Sequence, residues 1–228
     1  MILAITDCET SGLSPDTDRI IDVAVVLYSV DHACVIETWS SLVEQSDAGP
    51  TDIHGITTDQ LKALGIPEGM AYPKWYGWAG EADAILAHNA PFDRAFLEMA
   101  HVAHCDLEPH SGWIDSLDIE WPRRSSSRSL VQLALAHGLG VSDAHRALSD
   151  CLLLARLLTR SAELGADLPA MVARAALPRY TYQALVSYDD RGLAKDAGFR
   201  WDSERRQWLR RLLPEDAAAL PFRTQVTS

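Results

Sequence analysis

Two carboxylates, two residues apart, come directly after the apolar run that begins the printed sequence. Residues 2–6 have the composition of a short strand, and Asp7 and Glu9 follow it. Because successive side chains of a strand point to opposite faces, these two carboxylates project from the same face. Neighbouring acids repel one another unless a cation lies between them, and Mg²⁺ and Mn²⁺ prefer rigidly held oxygen ligands. The pair therefore predicts a divalent metal site, although an isolated Asp-x-Glu is more often a solvated strand end.

A further carboxylate follows the small apolar segment 84–87, which has the composition of a buried strand. Asn89 is a good N-cap and Pro91 suits a first helical turn. Apolar residues then recur at helical spacing at Phe92, Phe96 and Met99. Asp93 is therefore expected in the first turn of a helix, where compensation of the helix dipole alone could explain it.

The third segment contains His145 and Asp150. Five residues of a helix turn through about 500°, so the two cannot share a helical face if both are helical. They converge if His145 lies in the loop before the helix, with Ser142 or Asp143 near its cap. An imidazole next to a carboxylate held by a helix suits a general base beside a metal ligand.

In this order, the three segments resemble the motifs of the DEDD superfamily of exonucleases, in the subgroup whose third motif carries a histidine. They match the patterns Asp-x-Glu-Thr, His-Asn-Ala-x-Phe-Asp and His-Arg-Ala-x-x-Asp, and the segments 53–57 and 113–117 give weaker matches. The resemblance covers about residues 2–158. The family includes the proofreading subunit of bacterial DNA polymerase III and exonuclease X.

The resemblance implies a ribonuclease H-like α/β fold, in which helices flank a mixed sheet. It also implies hydrolysis of phosphodiester bonds at DNA 3′ ends by a two-metal mechanism, with release of 5′-mononucleotides. Two divalent cations, Mg²⁺ or Mn²⁺, are implied as cofactors. Asp7, Glu9 and Asp150 would ligate one cation. Asp7 and Asp93 would hold the second, Asp93 directly or through water, and His145 would take the proton from water.

A pocket for the terminal nucleotide is implied as well. Its candidate substrate-binding residues are Thr10, Leu13, His88, Asn89 and Phe92. For each of these, helix capping or core packing is an equal alternative. His54, outside the three motifs, is expected to be structural.

Two other functions stay open. The same motifs serve RNA enzymes, because the metals act on the phosphate and the contacts to the 2′-OH are not visible in a sequence. A non-catalytic relative that binds a metal or a protein is less favoured, since no motif residue is missing. The expected partner is a nucleic-acid 3′ end, with single-stranded DNA first and RNA second. No membrane partner is expected, and the sequence does not identify a protein partner.

Composition agrees with a compact cytoplasmic enzyme. The chain of 228 residues can bury a substantial core, and its four cysteines lack the Cys-x-x-Cys spacing of a zinc site or a disulfide scaffold. No run is long enough to span a bilayer, and no signal peptide is recognisable.

The net charge of −12 is unusual for a protein that approaches a polyanion, and bound cations would offset part of it. The turn 123–128, rich in arginine, is either a contact to the nucleic-acid backbone or a solvated loop.

The expected domains are an exonuclease domain (1–165), a linker or last helix (166–180), a small α+β module of uncertain role (181–213) and a tail (214–228). Strands followed by alternating strands and helices indicate a mixed sheet with helices on its faces. Strands are predicted at 2–6, 20–30 and 35–43, near 86 and near 114, and helices at 91–103, 130–137 and 146–163. A stretch to about residue 80 is poorly periodic. The module is predicted to contain a strand (182–188), a helix (191–197) and a hairpin around 202–206.

Residues 179–213 are the only basic stretch, with eight Lys and Arg against five Asp and Glu. Its arginines alternate with Trp201 and Trp208. Exposed indoles stack on unpaired bases, so we hypothesise that the module holds a nucleic-acid strand behind the active site. The alternative is that both tryptophans fill the core of a module that needs large residues to bury.

Overall fold

A five-stranded mixed sheet contains Asp7 and Glu9 of the first motif. The computed structural model describes residues 1–104, 112–125, 127–141 and 145–227, and the chain divides into two units, Met1–Ala176 and Leu177–Ser228. The sheet of the first unit has the strand order β3-β2-β1-β4-β5. Its strands are β1 (Ile2–Thr10), β2 (Ile20–Ser29), β3 (Cys34–Leu42), β4 (Ala84–Ala87) and β5 (Trp113–Asp115).

β4 is shorter than β1, so part of the edge of β1 that faces β4 has no strand partner. β1 pairs with β2 in antiparallel fashion along its whole length, with an irregularity before Thr10. It pairs with β4 in parallel fashion only as far as Ile5. The backbone of β1 beyond Ile5 therefore has no strand partner on the β4 side.

Helices cover both faces of this sheet, and two apolar layers lie between them and the strands. The helices are α1 (Thr51–His54), α2 (Thr58–Leu64), α3 (Glu68–Ala79), α4 (Ala90–His104), α5 (Leu130–Ala136), α6 (Ala147–Glu163) and α7 (Leu168–Ala175). Leu3 and Ile5 belong to the layer under α5, α6 and α7. Ala4 and Cys8 belong to the layer under α3 and α4. The alternation of β1 thus sorts its side chains between two cores, as the α/β prediction requires.

The poorly periodic stretch up to residue 80, for which no element was predicted, contains α1, α2 and α3. A capping box begins α2: the Thr57 hydroxyl accepts the Gln60 N–H, and Gln60 Oε1 accepts the Thr57 N–H. The Thr-x-x-Gln pattern was a usable signal. α3 was hidden by Pro73 inside it, and its stability comes from packing, with Trp75 fully buried.

The stretch 166–180 contains α7, for which a linker and a helix were both open. The Asp167 side chain accepts the Ala170 N–H at 3.0 Å, and Pro169 stands in the first turn. Among the described helices, none combines the length and the apolar composition needed to cross a membrane.

The second unit is built on a four-stranded sheet with the order β7-β8-β6-β9. Its elements are β6 (Tyr180–Ala184), α8 (Arg191–Asp196), β7 (Arg200–Asp202), β8 (Gln207–Leu212), α9 (Pro214–Ala218) and β9 (Thr224–Val226). Residues 214–228 are therefore not the tail that the sequence predicted, because β9 pairs with β6. That pairing joins segments about forty residues apart and has no local signature.

Candidate active site

β1 holds Asp7 and Glu9 on the sheet face that packs against α6. The two carboxylates alternate with Cys8, whose side chain is buried under α3 and α4. They continue the row of Leu3 and Ile5, which contacts the α6 layer. Both are partly buried, so they lie at the margin of the apolar core. β1 runs on to Thr10, which places the pair inside the strand instead of after it.

The segment before α6 brings a histidine and a second acid to Glu9. Oxygens of Glu9 and Asp150 and a ring nitrogen of His145 all lie within 4.8 Å of one another. His145 precedes α6 with φ at 66°, and its backbone N–H donates to Asp150 Oδ2 at 3.2 Å. The predicted convergence of a loop histidine with a helical carboxylate is therefore present. The suggested cap, Ser142 or Asp143, lies outside the described residues.

Asp93 reaches β1 from the first turn of α4 and is almost completely buried, with 2 % of its surface exposed. Its Oδ1 accepts the backbone N–H of Cys8 at 3.0 Å and the Cys8 thiol at 3.3 Å. This N–H is free to bond a side chain because β4 ends before it can pair with that part of β1. The open edge of β1 therefore fixes the Asp93 carboxylate at Cys8, the residue that follows Asp7.

Burial and mutual repulsion raise the pKa values of the acids on β1. Burial raises the pKa of Asp7 well above its ordinary value, and Asp93, Asp150 and Glu9 raise it further. Burial, assisted by Asp150, raises the pKa of Glu9 to about 7. These carboxylates therefore hold protons near neutral pH unless a cation replaces them.

The two helical acids follow the same pattern. Burial raises the pKa of Asp93 to about 7, against the hydrogen bonds from Cys8. Burial also raises the pKa of Asp150, against the backbone hydrogen bond from His145. A set of crowded carboxylate oxygens fits a hard divalent cation and does not fit a soft one.

Sequence reasoning missed Asp22, which stands opposite Glu9 in the β1–β2 register. Its buried carboxylate accepts Arg146 Nε at 3.0 Å and the backbone N–H of Ala147. Burial raises the pKa of Asp22, and Arg146 opposes this. These bonds tie the start of α6 to β2, so Asp22 holds the helix that carries Asp150. The available signal was an acidic residue inside an otherwise apolar strand.

Two of the expected substrate-binding residues lie where β1 ends. Thr10 is the last residue of the strand, and its hydroxyl donates to the Gly12 carbonyl at 2.6 Å. Leu13 follows in the turn with 86 % of its surface exposed. An exposed leucine in the turn after the strand that carries Asp7 and Glu9 provides an apolar surface that the local fold does not use.

The other three precede or begin α4. His88 is held by Ser116 Oγ at 2.7 Å and by the Arg128 carbonyl at 2.9 Å, so both ring nitrogens are engaged. Burial lowers the pKa of His88. Asn89 is exposed with φ at 71°, and Phe92 is partly buried against Phe96, with ring centroids 5.0 Å apart. These bonds favour the structural alternative for His88.

His54 is buried, and its Nδ1 accepts the Ile56 N–H at 3.1 Å. This local bond fits the structural role expected for it. In the described residues, the Glu9–His145–Asp150 group is the one cluster of at least three potential ligands.

Two protein families match the chain. Residues 4–158 match the family described as Exonuclease, and residues 180–227 match a family described as a domain of unknown function (DUF8626). The first match confirms the resemblance that the three motifs carried.

Curated relatives agree. Over 161 residues the chain is 32 % identical to DNA polymerase III subunit epsilon of Treponema pallidum, covering 67 % of this chain and 73 % of that protein. Over 164 residues it is 29 % identical to DNA polymerase III PolC-type of Thermotoga petrophila, covering 70 % of this chain. The chain spans 12 % of the length of that PolC-type relative.

Solved structures share the fold. Exonuclease X in complex with 5′ overhanging duplex DNA superposes with a TM-score of 0.56 at 27 % identity, covering 76 % of this chain and 99 % of that one. Exonuclease I of E. coli in complex with a dT13 oligonucleotide gives a TM-score of 0.65 at 16 % identity. This superposition covers 97 % of this chain and 68 % of that one. The predicted ribonuclease H-like α/β fold is confirmed.

Proposed function

Because this chain belongs to the exonuclease family, we propose that it is a metal-dependent 3′–5′ exonuclease that removes 5′-mononucleotides from DNA 3′ ends. The observation that carries the proposal is the convergence of Glu9, His145 and Asp150 within 4.8 Å. The likeness to the Treponema pallidum epsilon subunit over two thirds of both chains supports it. The likeness to exonuclease X, solved with duplex DNA, supports DNA as the substrate.

Four carboxylates would hold two divalent cations, Mg²⁺ or Mn²⁺. We assign Asp7, Glu9 and Asp150 to one cation and Asp7 with Asp93 to the other. When bound, such cations stabilise the attacking and leaving oxygens of an in-line displacement. His145, exposed and held by its backbone bond to Asp150, takes the proton from the attacking water at a ring nitrogen.

We further propose that Thr10, Leu13, Asn89 and Phe92 border the terminal nucleotide. Leu13 supplies an exposed apolar surface, and Phe92 stands one residue before the buried Asp93. His88, with both ring nitrogens engaged, holds the segment that begins α4. An exposed leucine and a partly buried ring suit the faces of a base.

Hydrolysis is expected to require Mg²⁺ or Mn²⁺ and to proceed from the 3′ end. A 5′-labelled DNA strand should shorten one nucleotide at a time, and a 3′ label should leave as a mononucleotide. EDTA should abolish both signals, and added Mg²⁺ should restore them. Cleavage of a circular strand, or turnover that persists in EDTA, would contradict the proposal.

The preferred nucleic acid is measured with one preparation on matched single-stranded DNA, duplex DNA and RNA. We expect single-stranded DNA to be degraded fastest. A faster rate on RNA would assign the protein to the exoribonuclease alternative. If none of the three substrates is degraded in the presence of metal, the result would support the alternative that the protein is a non-catalytic relative.

Metal binding is expected to stabilise the fold more at pH 8 than at pH 6. Burial raises the pKa of Glu9 and Asp93 to about 7, so between about pH 4 and 7 the folded metal-free chain binds more protons than the unfolded chain. Its unfolding free energy therefore falls as the pH rises through 7. Mg²⁺ competes with these protons, so the rise in Tm on adding Mg²⁺ should grow over the same range. Melting curves with Mg²⁺ or EDTA measure this, and an equal rise in Tm at both pH values would contradict it.

We also propose a cytoplasmic location. Cys8, Cys34 and Cys151 are free thiols, and Cys34 is exposed. An exposed thiol fits a reducing compartment. The proposed partner there is a nucleic-acid 3′ end.

A further inference from the structure

The second unit contains a cavity of about 330 Å³ whose lining carries aromatic and cationic side chains. It lies between the residues that follow β6 and the β7–β8 hairpin. Its lining includes Tyr188, Arg191, Trp201, Arg206, Gln207 and Trp208. No Asp or Glu is among the described lining residues. The cavity is therefore suited to a ligand that combines a flat apolar group with negative charge.

The two tryptophans have different surroundings, although they are cross-strand partners in the hairpin. Trp201 pairs with Trp208 in the β7–β8 register, and their rings meet edge to face with centroids 5.6 Å apart. Trp208 packs against the core of the unit, which includes Phe199 and Leu212. Trp201 keeps 52 % of its surface exposed. The core therefore fixes Trp208, and Trp208 in turn supports an indole face that the fold leaves open.

Tyr188 supplies a second aromatic surface, with 78 % of its area exposed. Arg191 lies with its guanidinium carbon 3.9 Å from the centroid of the Tyr188 ring. Its Nη1 also donates to the Tyr188 carbonyl at 2.5 Å. These two contacts hold a positive charge in place on the cavity wall.

Arg206 brings a second positive charge from the hairpin turn. Its backbone adopts φ of 53°, and its exposed side chain bonds no residue in the described part of the chain. Residues 177–228 hold nine Lys and Arg against seven Asp and Glu, whereas residues 1–176 hold eleven against twenty-five. The second unit is thus net positive in a strongly acidic protein. A polyanion is therefore attracted to this unit and repelled by the rest of the chain, apart from its cation site.

We propose that this cavity binds one unpaired nucleotide of a single-stranded nucleic acid. The base stacks on Trp201, Tyr188 closes the apolar side, and the phosphate meets Arg191 and Arg206. Aromatic rings stack on any base, and guanidinium groups pair with phosphate, so this set selects an unpaired strand without reading its sequence. The cavity shares no residue with the proposed hydrolytic site, and binding in it does not depend on hydrolysis.

Binding is measured on the full chain in EDTA, with Asp7→Asn as the background so that the strand is not degraded. The probe is fluorescein-labelled oligo(dT), followed by anisotropy at low salt. Trp201→Ala should weaken binding about 5- to 150-fold, the range expected for the loss of one stacked base. Trp201→Phe, which keeps a stacking face, should retain most of the affinity and shows that the loss is not a folding defect. Tyr180→Ala is the matched control, since Tyr180 is an exposed aromatic residue of the same unit that does not line the cavity.

Two further comparisons separate stacking from charge. Arg206→Gln should weaken binding at low salt more than at high salt, whereas Arg200→Gln, exposed and outside the lining, should have little effect. An abasic strand of equal length should bind Trp201→Ala and the background protein equally. The proposal is overturned if the Trp201→Ala variant binds oligo(dT) as tightly as the background protein does. It is also overturned if the substitution weakens binding of the abasic strand as much as binding of oligo(dT). Failure here leaves the hydrolysis assays unaffected, because those depend on the first unit and on added metal.

Discussion

Asp7→Asn is expected to lose hydrolytic activity by at least about 10³-fold, since each cation supplies several kcal/mol of transition-state stabilisation. The same substitution should raise the Tm of the metal-free protein. Burial and the neighbouring Asp93 and Asp150 raise the pKa of Asp7 well above its ordinary value, so at neutral pH the metal-free fold must either bind a proton there or keep a costly charge. A neutral amide of the same shape avoids both costs. A variant that melts at a higher temperature than the wild type in the absence of metal, and yet is inactive, is the result expected when Asp7 is a cation ligand.

Turnover and melting temperature, each with Mg²⁺ and with EDTA, are measured on Asp7→Asn and on a control. Asp16→Asn makes the same chemical change at an exposed position, and it should alter neither quantity. Near wild-type turnover in Asp7→Asn would refute the metal assignment. A lower Tm of the metal-free variant would refute the electrostatic account of the site.

His145→Ala is expected to lose about 10²–10⁴-fold in rate, the range for removal of a positioned base. Its ring nitrogen lies within 4.8 Å of the Glu9 and Asp150 oxygens, and its side chain is exposed. The loss should shrink as the pH rises, because hydroxide from the solvent replaces the base. The rise in Tm caused by Mg²⁺ should be preserved, because the carboxylates remain.

The pH–rate profile distinguishes a base from a ligand. A general base predicts a wild-type rate that rises between about pH 5.5 and 8 at saturating Mg²⁺. His32→Ala, at an exposed histidine of the first unit, is the control and should retain full activity. A flat wild-type profile would contradict the base. Loss of the Mg²⁺-induced rise in Tm in His145→Ala would make His145 a ligand.

Local patterns were enough to predict the parts of the site that lie on single elements. Strand alternation put Asp7 and Glu9 on one face, and the geometry of a helix start put His145 in the loop before Asp150. These predictions needed only the period of a strand and of a helix, which any segment of the chain displays by itself. The family resemblance rested on the same short segments, and the family match confirms it.

The tertiary structure alone decided how these segments meet. Asp93 bonds Cys8, 85 residues away, because β4 is shorter than β1 and leaves a backbone N–H unpaired. Arg146 bonds Asp22 across 124 residues, because the register of β1 and β2 sets Asp22 opposite Glu9. Neither contact has a local period, so no pattern of neighbouring residues announces it.

The second unit shows the same division. The amino-acid sequence alone determined a basic hairpin with a tryptophan on each strand, because charge and strand propensity are properties of neighbouring residues. It left open whether those tryptophans fill a core or face solvent, and it did not predict β9. The answer, Trp208 against the core and Trp201 half exposed beside a cavity, depends on which strands pair and what packs beneath them. Strand pairing and core packing join residues that are distant in sequence, and only the folded chain specifies them.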